Sequence, residues 1–149
     1  MYVVFINIIF TINQLGGNIN HRADSDLNYI KGIKTLDINK LPKNHENFEI
    51  TLDEQEILHV KLVGTPTSGY SWFLKNHEKV DLTPINIDEN GSTSPSFNKN
   101  HYGVSATYTF IFVVTKNFEK INLKFSYERI WNPSDDPINI IVNVTNHES

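Results

Sequence analysis

From residue 46 onward, apolar residues recur at every second position, the period of a strand whose two faces meet different surroundings. In "INLKFSYER", Ile121, Leu123, Phe125 and Tyr127 share one face, while Asn122, Lys124, Ser126 and Glu128 share the other. "INIIVNVT" repeats the pattern with Ile138, Ile140, Val142 and Val144. "FEITLDEQEILHVKLV" alternates on both sides of an acidic turn: Phe48, Ile50 and Leu52 precede it, and Leu58, Val60 and Leu62 follow, with His59 and Lys61 facing the opposite way. In "ATYTFIFVV", Ala106, Tyr108, Phe110, Phe112 and Val114 lie on one side. The other side, Thr107, Thr109, Ile111 and Val113, is polar only in its first half, so this strand is expected at the centre of a sheet with both faces covered. No stretch in this region holds a helical period over three turns. Short alternating strands separated by Gly, Pro, Asn and Asp clusters specify an all-β fold, two antiparallel sheets packed face to face as a sandwich.

A chain of 149 residues, 39% of them hydrophobic, can bury one core and is short for two. Thirteen basic against seventeen acidic side chains give a net charge of −4, with no Lys/Arg run, so nucleic acid is not an expected partner. Absence of cysteine excludes a disulfide framework, a thiolate metal site and a cysteine nucleophile. The apolar stretch Tyr2 to Ile12, followed by Gly16 and Gly17, has the length of a signal-peptide core and is too short to span a bilayer as a helix. Residues 1–17 therefore read as a leader, although the β-branched Val3, Val4, Ile6, Ile8 and Ile9 would also suit a buried first strand. With a leader the chain belongs to the secretory pathway, secreted or in vesicles such as lysosomes; without one it is cytoplasmic. No membrane span is expected in the mature chain. Residues 18–44 are polar, with one short element around Ile33 to Ile38, and form a polar extension that is either a spacer or an added edge strand. The sandwich domain is assigned to 45–149.

Catalytic and metal sites find no support. The six histidines, at 21, 45, 59, 77, 101 and 147, form no His-x-x-x-His pair. Pro66 occupies the place where a Gly-x-Ser-x-Gly elbow around Ser68 would need its first glycine. The acid pairs Asp53/Glu54 and Asp135/Asp136 sit in polar connections as turn formers. No catalytic residue, metal or cofactor is assigned. Two glycosylation sequons, at Asn90 and Asn143, matter only if the leader is real.

Three connections are more than hairpin turns: 64–69, about 89–103, and about 129–137. In a sandwich, alternate connections leave the same end, so these three are expected to form one edge. In the first, Pro66 fixes its own φ and extends Thr65, while Gly69 permits a turn closed to other residues. Thr67 and Ser68 sit at its tip, and Tyr70 and Trp72 re-enter the strand on one side. The second, "ENGSTSPSFNKNHYG", is expected to be mobile at its centre. In the third, alternation breaks after Arg129, leaving Trp131 either exposed as a binding residue or capping the end of the core.

The order and spacing of "FEITLDEQEILHVKLVGTPTSGYSW", "YGVSATYTFIF" and "NLKFSYERIWNPSDDPINIIVNV" resemble the chagasin family of cysteine peptidase inhibitors, from about residue 46 to 146. That family's Asn-Pro-Thr-Thr-Gly-Tyr/Phe motif with a nearby Trp falls on Thr65-Pro66-Thr67-Ser68-Gly69-Tyr70 and Trp72. Its Gly-x-Gly-Gly segment falls on Gly103-Val104-Ser105-Ala106, and its Arg-Pro-Trp on Arg129-Ile130-Trp131. The resemblance implies an immunoglobulin-like sandwich and reversible, tight inhibition of papain-like, cathepsin L-type cysteine peptidases by a monomer. Thr67 would approach the catalytic cysteine with Ser68 and Gly69 beside it. Arg129 and Trp131 would pack along one cleft wall, and Gly103 to Ala106 would grip the other. Thr65 replaces an asparagine that would brace the loop, Ser105 and Ala106 replace glycines, and Ile130 replaces a proline, which loosens the third loop. The alternative is a secreted immunoglobulin-like adhesion or ligand-binding module using the same loops.

Overall fold

The computed structural model describes residues 30–43, 45–53, 55–76, 82–97, 105–114, 118–132 and 137–146. The expected leader lies outside them, as do Gly103 and Val104. Among the described residues nine strands follow in order: β1 (Gly32–Ile38), β2 (Glu46–Leu52), β3 (Glu56–Gly64), β4 (Tyr70–Leu74), β5 (Leu82–Pro84), β6 (Ser96–Phe97), β7 (Ala106–Val114), β8 (Lys120–Arg129) and β9 (Ile138–Asn146). One sheet has the order β1-β3-β7-β5, with β6 also on β7; the other has the order β2-β9-β8-β4. The all-β sandwich is thus the architecture observed, and among the described residues there is no α-helix.

The core forms where the alternating faces meet. Leu58, Val60, Leu62, Phe110 and Phe112 of the first sheet oppose Trp72, Leu74, Leu123, Phe125 and Val142 of the second, and all are buried. Phe125 stands edge-on to Phe110, with ring centroids 4.9 Å apart, an arrangement that adds to plain area burial.

Three features depart from the expected pattern. Each sheet carries one parallel pair, β1 with β3 and β2 with β9, at its edge. The chain passes from one sheet to the other between β2 and β3, so the acidic turn at 53–55 separates strands of different sheets and is not a hairpin. Its geometry is set by Gln55 at φ 68° and by the Asp53 amide donating to Glu56 Oε2 at 2.8 Å. Secondly, β1 lies within the segment assigned to the polar extension. Leu36 and Ile38 reach the core, so that part is an edge strand and the folded unit begins before residue 45. Thirdly, the polar face of β8 is not uniformly solvated: Ser126 and Glu128 are buried. Their burial is compensated, since Ser126 Oγ donates to Glu128 Oε2 at 2.8 Å and Lys75 Nζ pairs with Oε1 at 2.7 Å. β7 is central as expected, but its outer residues Thr107 to Val113 are half-exposed rather than covered.

His59, on the outer face of β3 between Thr35 and Ile111, is half-buried, and its Nε2 has no hydrogen-bond partner among the described residues. Burial, helped by the Lys61 charge, holds its pKa below the usual histidine value of 6.5. The folded chain therefore binds fewer protons here than the unfolded chain. This contribution to stability is complete above pH 6.5 and is lost as pH falls through that value toward the lowered folded pKa. Thermal melts from pH 7.5 to 5 are expected to show a falling midpoint, and His59→Gln to reduce that fall; parallel wild-type and variant profiles would contradict it.

Candidate functional site: three loops at one end of the sandwich

The strand registers decide which loops are neighbours. Gly64 at the end of β3 faces Ala106 at the start of β7, and Ala106 also faces Phe97 of β6. Tyr70 at the start of β4 faces Arg129 at the end of β8, whose Tyr127 faces Ile138. Connections 65–69, 98–105 and 130–137 consequently leave the same end, with 65–69 bridging the two sheets.

The first connection is a single 3-10 turn, Pro66–Ser68, entered through Thr65 and left through Gly69 at φ 85°. The Thr65 carbonyl accepts from the Ser68 amide at 3.0 Å and from Ser68 Oγ at 2.6 Å, and the Pro66 carbonyl accepts from the Gly69 amide at 2.9 Å. Among the described residues the Thr65 side chain makes no cap bond; the brace comes from Tyr127, whose hydroxyl accepts the Thr65 amide at 2.8 Å. Thr67 and Ser68 are exposed, and Thr65 and Pro66 half-buried. No residue from 64 to 72 is charged.

Below the turn lies an aromatic stack. Arg129 places its guanidinium 4.6 Å from the Tyr70 ring centre, Tyr70 stacks on Tyr127 at 5.2 Å, and Trp72 sits 5.0 Å from Tyr127. Trp72 is fully buried and donates Nε1–H to the Val63 carbonyl at 2.9 Å. The stack needs Gly64, because a Cβ there would lie 3.0 Å from the rings of both Tyr108 and Tyr127.

The third connection begins with a tight turn closed by the Asn132 amide on the Arg129 carbonyl at 3.2 Å. Ile130 and Trp131 project from it, 59% and 68% exposed, which settles Trp131 as a surface residue. The benzo ring of its indole abuts Gly69; a Cβ at that position would fall 2.2 Å from the ring. The first and third loops are thereby one contiguous surface. Of the second loop's assigned residues within the described chain, Ser105 is exposed, whereas Ala106 is 2% exposed with its methyl in the core, so its side chain offers no contact. Arg129 spends its guanidinium on Tyr70 and supports the surface from beneath.

The profile described as Chagasin family peptidase inhibitor I42 matches residues 51–145. The chain belongs to the chagasin family of peptidase inhibitors. Membership makes the protein an inhibitor and not an enzyme. No curated protein matches the chain by sequence. Among solved structures, PbICP-C in complex with falcipain-2 is similar, with a TM-score of 0.55 and 22% identity over 76% of this chain and 99% of that one. EhICP2, a cysteine protease inhibitor from Entamoeba histolytica, has a TM-score of 0.50 and 15% identity over 78% of this chain and 96% of that one. At these identities the likeness is one of fold.

For a chagasin-family chain, two contributors here escape a reading of the motifs. Tyr127 looks like one more core residue, and only its register opposite Trp72 brings its hydroxyl to Thr65. Phe97, 55% exposed beside Ala106, adds an aromatic to the same end of the sandwich. The only sequence signal for it is a lone aromatic within a Ser/Asn-rich run.

Proposed function

We propose that this chain is a reversible, tight-binding inhibitor of papain-like cysteine peptidases, with the Pro66–Ser68 turn inserted in the active-site cleft. Thr67 sits over the catalytic cysteine with Ser68 and Gly69 beside it. Ile130 and Trp131 lie along one wall, and Ser105, with Gly103, Val104 and Phe97, along the other. The observation that carries this reading is the hydrogen bonding of the turn. A substrate presents extended backbone with its scissile carbonyl turned to the oxyanion donors. Here residues 66–68 form a 3-10 turn closed on the Thr65 and Pro66 carbonyls, so the segment that meets the nucleophile is not the extended backbone a substrate presents. The bracing by Tyr127 and the fixed φ of Pro66 reduce the ordering entropy of binding. The absence of charge in the turn suits a desolvated cleft, and three loops on a rigid sandwich bury on the order of 800 Å² per partner. PbICP-C, similar in fold, is known in complex with falcipain-2, a natural first enzyme to test beside papain.

Titrating the full chain into these peptidases is expected to give stoichiometric loss of activity; none at micromolar concentration would refute the reading. Thr67→Asp, which buries a carboxylate beside the catalytic thiolate, should weaken inhibition by about 100-fold or more. Since Thr67 is exposed, the melting temperature should hardly move; a variant that unfolds would make Thr67 structural.

A further inference from the structure

On the outer side of β4, away from the core, an open groove of about 500 Å³ runs beside the inhibitory edge. Gly69, Phe73, Ile87 and Ile130 give part of its lining, and Asp88 and Ser94 are among the polar residues that make up the larger share. The wall formed by residues 86–95 has no regular secondary structure, yet it is held at many points. Asn86 donates to the Thr109 carbonyl at 2.6 Å and accepts from the Ile111 amide at 3.0 Å. Asp88 Oδ1 accepts the amides of Asn90 and Ser92 at 2.9 and 3.0 Å, and Ser92 Oγ donates to the Trp72 carbonyl at 2.8 Å. The Leu74 amide donates to the Gly91 carbonyl at 2.7 Å, so this segment also pairs with the β4 edge. The second connection, expected to be mobile at its centre, is pinned in its first half.

The charge of this wall has one sign. From Leu82 to Phe97 there is no Lys or Arg, while Asp88 and Glu89 are both exposed. Capping by Asp88 uses Oδ1 alone among the described residues, which leaves carboxylate character facing outward. Asp88 beside Phe73 and Ile87 fits a long cationic side chain, whose methylenes meet the apolar groups while its head meets the acid; the chain's own cation nearest Phe73, Lys75, is held by Glu128.

We propose that the groove is a second docking site for the target peptidase, taking a Lys or Arg side chain from the rim of its active-site cleft. The inference rests on the proposed inhibition. The occupant follows from position and charge: residues that line the groove, Gly69 and Ile130, also belong to the edge that enters the cleft, so the partner's rim must pass over the groove mouth. The groove selects among papain-like peptidases by their rim charge, and the turn at 66–68 supplies the inhibition common to all of them.

Inhibition constants of the full chain and three variants against papain and falcipain-2 test this. Asp88→Asn keeps the capping oxygen and removes the charge, Glu89→Lys reverses the neighbouring charge, and Ser94→Trp fills the groove. For a peptidase whose rim carries the cation, Asp88→Asn and Glu89→Lys should each raise the inhibition constant about tenfold at low salt, less at 0.5 M salt. Replacing candidate rim Lys or Arg residues of that peptidase by Gln should abolish the effect in a double-mutant cycle. Ser94→Trp should weaken binding independently of salt. If the wild type inhibits and all three variants match it, the groove proposal is overturned and the inhibitor reading stands; if the wild type inhibits neither enzyme, both fall. Wild-type inhibition constants independent of salt would also overturn the charged occupant, whatever the variants do.

Discussion

Gly69→Ala is expected to raise the inhibition constant by about 100-fold while leaving a folded sandwich. Two causes act together at this residue. Its φ of 85° lies in the left-handed region, where an L side chain costs about 1–2 kcal/mol. A Cβ would also meet the Trp131 indole at 2.2 Å, and since Trp131 is 68% exposed the indole is free to leave. The loss therefore falls mainly on the binding surface, where the turn and Trp131 cease to be contiguous, and less on the fold. Peptidase titration together with a urea unfolding curve separates these: the expected pattern is a large shift in inhibition and a midpoint lowered by about 1–2 kcal/mol equivalent. A variant that binds like wild type would show that the Trp131 contact is dispensable.

Trp72→Ala is expected to have the largest effect on stability, about 3–5 kcal/mol. Trp72 is fully buried, its ring lies against Tyr127, and its Nε1–H bonds the Val63 carbonyl. Truncation leaves a cavity under the first loop and orphans that carbonyl. Against a typical domain stability of about 5–15 kcal/mol, the variant should unfold at much lower urea and inhibit poorly at 37 °C. Trp72→Phe, which keeps a ring and loses only the hydrogen bond and some area, should recover most of the stability. A Trp72→Ala midpoint close to wild type would mean that the aromatic stack is not what holds the loops.

These two residues differ in how far a reading of the chain reaches. Trp72 is legible, since it alternates with Leu74 on an apolar face after a Pro/Gly turn, and period 2 assigns it to the core. Gly69 is half legible: a glycine closing a proline turn announces a positive φ, but its neighbour Trp131 is 62 residues away in sequence. Ser126 and Glu128 mark the opposite limit. Alternation puts them on the outer face, where they are, yet whether that face is covered depends on chain from elsewhere. Ala106 is a different case: alternation sets it on the inward face with Tyr108, Phe110 and Phe112, as observed, and only the family resemblance assigns it to the contact loop.

What the sequence determined by itself is whatever follows from local chemistry and period: the all-β class, the inward faces of β3, β7, β8 and β9, the stiffness of Thr65–Gly69, and the order of three motifs that mark the family. What only the tertiary structure decided is whatever depends on pairing between distant strands. Strand register brings the Tyr127 hydroxyl to the Thr65 amide, lays Trp131 on Gly69, makes β1 an edge strand and folds 86–95 into the wall of a groove. The physical reason is that side-chain period is encoded within one strand, whereas register, and with it every contact between loops, is set by the packing of two sheets around a shared core.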